Sequence, residues 1–271
     1  MPGRSPELSL GPLTIIRATH REMVEAAAAG GFDAVGLRMI APRPGDPVHP
    51  LVGDPAAIRA LGLLMADRGI RLLDMESLWI SPATQPASYR PAFEACAALG
   101  GRFVLCAGND AERDRLVENF AALAALGAEH GLTVGIEPTS WLALRTLAQA
   151  EDLLARAGAP NTGIIIDTLH MARAGETAAS IAALAPGRIA YAQICDAVAE
   201  APADLMAEAR GDRLLPGEGA LPLAAMLAAL PARLPIGVEA PTRAFAALPF
   251  DECARRAGRA SRAFLAATAR P

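Results

Sequence analysis

Apolar residues fall into short dense runs separated by longer stretches in which they recur every three or four positions. The runs at 8–10, 32–39, 71–77, 102–106, 132–137, 162–167, 188–194 and 234–239 have the length and branched side chains of strands. The stretches at 20–30, 55–69, 88–99, 111–130, 147–157, 177–184, 221–230 and 251–269 have helical spacing. Gly69, Gly131, Gly158 and the pair Gly100-Gly101 stand where those helices should stop. Strands that alternate with helices pair in parallel, because a parallel partner is reached only through a crossover. Eight such units are the number that closes a (β/α)₈ barrel. A doubly wound open sheet is the competing arrangement. No G-x-G-x-x-G follows the first strand, which removes that fold's commonest dinucleotide-binding version. No linker, charge run or low-complexity segment divides the chain, so one (β/α)₈ TIM-barrel domain is expected over residues 1–271.

Composition adjusts this picture in three places. Hydrophobic residues make up 52% of the chain but aromatics only 4%, and much of the remainder is alanine, which suits helices packed closely on a sheet. The formal net charge of −4 argues against a nucleic-acid or anionic-membrane partner. Residues 1–13 hold one arginine and no signal-like apolar run, and no uncharged apolar stretch reaches membrane-spanning length. A soluble, cytoplasmic protein acting on a small molecule is therefore expected, and a homo-oligomer is compatible with the composition. Cys96, Cys106, Cys195 and Cys253 form no C-x-x-C pair and read as free buried thiols.

In barrels of this kind, function sits at the carboxyl ends of the strands. The last four strand runs end in Glu137, Asp167, Gln193 and Glu239. Any one of these alone reads equally well as a helix cap or an arginine partner. Four at successive strand ends converge on one spot. Three carboxylates ionised together in a low-dielectric lumen would repel one another at a cost of several kcal/mol each without a cation. Oxygen donors favour a hard divalent ion, Mn2+ or Mg2+, with Co2+ or Zn2+ as substitutes.

These residues also carry a resemblance. Gly135-Ile136-Glu137-Pro138, the D-x-x-H of Asp167-Thr168-Leu169-His170, Gln193-Ile194-Cys195-Asp196, the loop 213–219 and Val238-Glu239 resemble the xylose isomerase-like barrels of the sugar phosphate isomerase/epimerase superfamily. The resemblance implies one divalent ion held by Glu137, Asp167, Gln193 and Glu239. It implies that Glu137 and Glu239 move protons and that His170 contacts a substrate oxygen or serves as acid or base. Arg213 would reach over the site from its loop. Relatives that epimerise sugars commonly carry histidine at the position of Gln193, whereas the dehydroshikimate dehydratase branch resembles this chain in using glutamine. The arginine-containing signature of those dehydratases is not evident in strands two and three. The endonuclease branch needs a histidine-rich cluster, and this chain has only His20, His49, His130 and His170.

The leading expectation is a metal-dependent isomerase or epimerase acting on a keto sugar or hydroxy-ketone through an enediolate. One alternative is a lyase of the 3-dehydroshikimate dehydratase or inosose dehydratase type. Another is a non-catalytic barrel that binds a metabolite. Arg38, at the end of strand two, and Arg43 beyond it match a carboxylate or phosphate, and each reads equally as a solvated surface arginine. Glu76, ending strand three, and Trp141, four residues past Glu137, are expected to contact substrate or wall the pocket. His20 and His130 read as helix-end or surface residues, and His49 lies in the Pro-rich loop 42–50 on the active-site side. Asp196 is expected to orient a ligand or cap the next segment.

Overall fold

The computed structural model describes residues 6–43 and 45–268. The expectations that touch residues 1–5, the absence of a leader, and Ala269, the end of the last helix, lie outside that description. Strands β1 (Leu8–Leu10), β2 (Ala34–Leu37), β3 (Arg71–Ile80), β4 (Phe103–Gly108), β5 (Thr133–Glu137), β6 (Thr162–Asp167), β7 (Ile189–Ile194) and β8 (Ile236–Val238) pair in parallel, each with the next. The pairing of β1 with β8 closes the barrel. Among the described residues, no helix is long and apolar enough to cross a membrane.

The outer helices are α1 (His20–Ala29), α2 (Pro55–Arg68), α3 (Arg90–Ala98), α4 (Arg113–Glu129), α5 (Leu147–Ala157), α6 (Thr168–Arg173), α7 (Ala178–Ala182), α8 (Leu205–Gly211), α9 (Leu223–Ala229) and α10 (Phe250–Thr268). Capping chemistry fixes their starts. Thr19, Thr146 and Thr177 each form a capping box with Glu22, Gln149 and Ser180. Asp54 caps α2, which opens on Pro55 and ends at Gly69 in the left-handed region, φ 66°. The short helices α6 and α8 were not expected. They are tied together by the buried pair of Arg173 and Glu208, 2.6 Å apart.

Two apolar cores result. The larger lies between the strands and the helices and includes Phe93, Phe120 and Leu123. The smaller plugs the barrel lumen with Ala34, Leu73, Leu105, Ile165 and Tyr191. The register of β3 against β2 slips by one residue between Val35 and Gly36, which makes Leu73 the extra residue. Leu73 and Asp74 consequently both face the lumen, where Tyr191 donates its hydroxyl hydrogen to Asp74. The four cysteines are free and buried, as expected.

Candidate metal centre

The four expected ligands stand where the strand pattern put them. Glu137 and Asp167 are the last residues of β5 and β6, Gln193 is next to last in β7, and Glu239 follows β8 directly. Asp167 is in register with Gln193, and Gln193 with Gly237. Adjacent strands lie about 4.8 Å apart, so these residues stand on neighbouring strand tips. All four side chains are buried. One oxygen each of Glu137 and Asp167 and a ring nitrogen of His170 lie within 4.8 Å of one another. His170 thus stands as near the two carboxylates as ligands of one ion would.

Asp167 does two jobs. Its Oδ1 accepts the backbone N–H groups of Leu169 (2.8 Å) and His170 (3.1 Å), capping α6. Its Oδ2 accepts from Arg213 Nη1 at 2.7 Å. The cap and arginine-partner readings of this residue are therefore both realised, and they leave it fixed at the site. Burial pushes its pKa up, but Arg213, His170 and the hydrogen bonds outweigh burial and hold the carboxyl below its usual range.

Arg213 does not reach over the mouth from its loop. Its side chain is 1% exposed, and its donors go to Asp167, the backbone oxygen of Glu239 at 3.1 Å and that of Ala209 at 2.8 Å. It also lies 3.8 Å from the Glu239 carboxylate. Glu137, Asp167 and Glu239 outnumber this one guanidinium, an imbalance that a bound cation would relieve. Two buried oxygens, Glu137 Oε1 and Gln193 Oε1, have no partner. An orphaned buried acceptor costs about 1–3 kcal/mol. Two of them beside this group of carboxyls fit an ion bound through oxygen donors. Burial, then the charges of Asp167 and Glu239, push the Glu137 carboxyl well above its normal range, against the pull of Arg213. A bound cation would reverse that shift.

His170 is held by α6. Its ring meets Trp141 edge-on, centroids 4.8 Å apart, and Nδ1 is 3.5 Å from Ser140 Oγ. Burial lowers its pKa to about 4, against the attraction of Asp167, so the ring is neutral at neutral pH.

Glu137, His170, Arg213 and Glu239 line an open cleft of about 500 Å³ together with Arg38, Glu76, Trp79, Trp141 and Arg210. Arg38 is not a solvated surface arginine. It is buried, and its Nε and Nη1 have no hydrogen-bond partner. Burial lowers its pKa, offset in part by Glu239 and Glu76. His20 is not a surface residue either, because its Nε2 lies 2.9 Å from the Arg38 backbone oxygen. Arg43 and Arg210 both pair with Asp46 at the mouth, at 3.0 and 3.1 Å. Asp196 accepts from the N–H groups of Ala197, Gly217 and Leu221 and so fixes the loop after β7. Glu76 faces the lumen, where its Oε1 accepts from Gln193 Nε2 at 2.9 Å. Asp74, Tyr191 and Arg210 were missed from the sequence. The alternation of polar residues at 74 and 76, and at 191 and 193, is the signal that could have found the first two.

A sequence model of the xylose isomerase-like TIM barrel matches residues 24–265. The chain belongs to that family. Within it, the chain is 31% identical over 252 residues to a 3-dehydroshikimate dehydratase of Pseudomonas aeruginosa, and 27% identical over 252 residues to one of Pseudomonas putida. Each match covers 86% of this chain but only 38% of the relative, so the chain spans well under half the length of these curated proteins. Among solved structures, an IOLI protein with a bound zinc atom superposes with a TM-score of 0.82 at 17% identity, over 98% of this chain and 100% of that one. A D-allulose 3-epimerase from Methylomonas sp. gives 0.73 at 20% identity, over 99% and 100%. These two likenesses establish the fold. The sequence relatives are dehydratases, and the zinc-bound and epimerase structures are neighbours in fold.

Proposed function

We propose that the protein is a metal-dependent lyase that removes water from a small hydroxy-ketone carrying a carboxylate. The observation that carries this reading is Arg38: a buried guanidinium, two of whose nitrogens lack partners, in the cleft that Glu137 and Glu239 line. A buried cation with free donors is costly unless an anion meets it, and a guanidinium matches a carboxylate bidentately. Arg210 adds a second positive charge to the same cleft. A neutral sugar would leave Arg38 unanswered, whereas Arg210 already pairs with Asp46. The sequence likeness to two 3-dehydroshikimate dehydratases, and glutamine at position 193, support the same substrate class.

Glu137, Asp167, Gln193 and Glu239 would hold the ion. When bound, it would supply Lewis-acid polarisation of the substrate ketone. Arg38 anchors the carboxylate and fixes the ring of the substrate against Trp141. His170, neutral at the outset, takes the proton from the carbon alpha to the ketone. The electron pair of that C–H bond becomes the new C=C bond as the neighbouring C–O bond breaks. His170 returns its proton to the departing hydroxyl, and water leaves. Arg213 stays a structural cation that keeps Asp167 and Glu239 in place.

Epimerisation is a second reading, favoured by one feature: Glu137 and Glu239 both line the cleft, as a pair of proton-exchanging carboxylates would. Product mass separates the two. Purified protein supplied with Mn2+ and 3-dehydroshikimate should give a product lighter by one water, with a new ultraviolet chromophore. A product of unchanged mass would instead support the epimerase, and no turnover of this compound would remove the proposed substrate.

A further inference from the structure

We propose that Glu76 is a positioning residue that sets which end of the Gln193 amide faces the metal, rather than a group that contacts substrate. The inference rests on the reading of Gln193 as a ligand. A glutamine amide has nearly the same shape when turned by half a rotation, so packing alone does not choose between its oxygen and its nitrogen. Only the oxygen can bind a cation. The choice must come from a neighbour that accepts but does not compete for the oxygen.

Glu76 Oε1 meets that need. It takes a hydrogen bond from Gln193 Nε2 at 2.9 Å, and Gln193 Oε1 is left buried with no partner. An orphaned amide oxygen is the less stable arrangement for Gln193 itself. The bond to Glu76 is what holds the amide in the orientation that an ion requires.

Glu76 is itself fixed from below. Its carboxyl lies in hydrogen-bond contact with those of Asp74 and Glu239, and Asp74 accepts the hydroxyl of Tyr191. Gly36 supplies the room. A Cβ there would stand 2.6 Å from Asp74 Oδ1 and 3.0 Å from Glu76 Oε1, so no larger residue fits beside the two carboxyls. The line Tyr191, Asp74, Glu76, Gln193 thus runs through the lumen from the apolar plug to the ligand shell, with β7 supplying its two ends and β3 the two members between.

The test is Mn2+ affinity of the full chain, measured by calorimetry after removal of bound metal, with unfolding curves confirming that each variant folds. Glu76→Met removes the acceptor and keeps the length; it should weaken binding about 10- to 100-fold, as loss of a ligand's orienting partner does. Glu76→Ala serves the same purpose if the methionine variant does not fold. Glu76→Gln keeps an acceptor oxygen but removes any charge, and it should bind as the parent does. In a Gln193→Ala background, Glu76→Met should cause no further loss. Equal losses for Glu76→Gln and Glu76→Met would mean that charge, not orientation, is responsible and would overturn the inference. So would an undiminished effect of Glu76→Met without Gln193. Unchanged affinity in Gln193→Ala alone would bring down the ligand assignment first, and the inference with it.

Discussion

Arg213 Nη1 lies 2.7 Å from Asp167 Oδ2, with both side chains all but inaccessible to solvent. A buried pair of this kind is hard to form, but breaking it strands an uncompensated charge. Arg213→Met should therefore destabilise the metal-free protein by about 3–5 kcal/mol in urea unfolding. A loss below about 1 kcal/mol would be that of an exposed pair and would contradict the structural role given to this arginine.

Arg38 should behave in the opposite way. Its buried, half-partnered guanidinium serves binding at the expense of stability. Arg38→Leu is expected to melt no lower than the parent, while kcat/KM falls at least about 100-fold through loss of the carboxylate anchor. Thermal unfolding beside steady-state kinetics checks both halves. A variant that unfolds readily and still turns over would reverse the assignment.

Acid should expose His170. The ring titrates near 4 in the folded chain, against 6.5 as its ordinary value. Above pH 6.5 it is neutral in both states. Between 6.5 and 4 only the unfolded chain takes up the proton, so this contribution to stability is lost as the pH falls, by at most about 3 kcal/mol. Asp74 works against it. Burial raises its pKa from 3.8 to about 6, so its contribution is present at low pH and lost as the pH rises through 6. The sum over the two is shallow, and the difference between parent and variant is the quantity to measure. With chelator present, the stability advantage of the parent over His170→Leu should shrink steadily from pH 6.5 to 4. A difference that stays flat would place the histidine in a solvated setting.

The sequence pattern was most legible where strands were regular. β6 and α5 begin and end where the pattern put them, because residues 163–167 are an unbroken buried run and Thr146 and Gly158 punctuate the helix on both sides. The strand-end residues 137, 167, 193 and 239 could be found from position alone, since a closed barrel makes those tips converge. Other features were hidden for physical reasons. α6 is only six residues long, too short for a periodic signal, and exists because Asp167 caps it. The register slip at Leu73 puts two successive residues, Leu73 and Asp74, on the lumen side, which no regular alternation from the start of β3 shows. Arg38 read equally well as a surface residue because nothing in its local sequence shows that the fold buries it. Arg213 sits in a loop by sequence, and only the bridge of Asp196 to Leu214 turns its side chain inward to Asp167.

Titration of the metal-stripped full chain with Mn2+ tests the central claim most directly. The account predicts one ion per chain, and binding lost in Glu137→Gln and in Asp167→Asn while both variants stay folded. No binding by the parent, or binding that both substitutions leave unchanged, would contradict it.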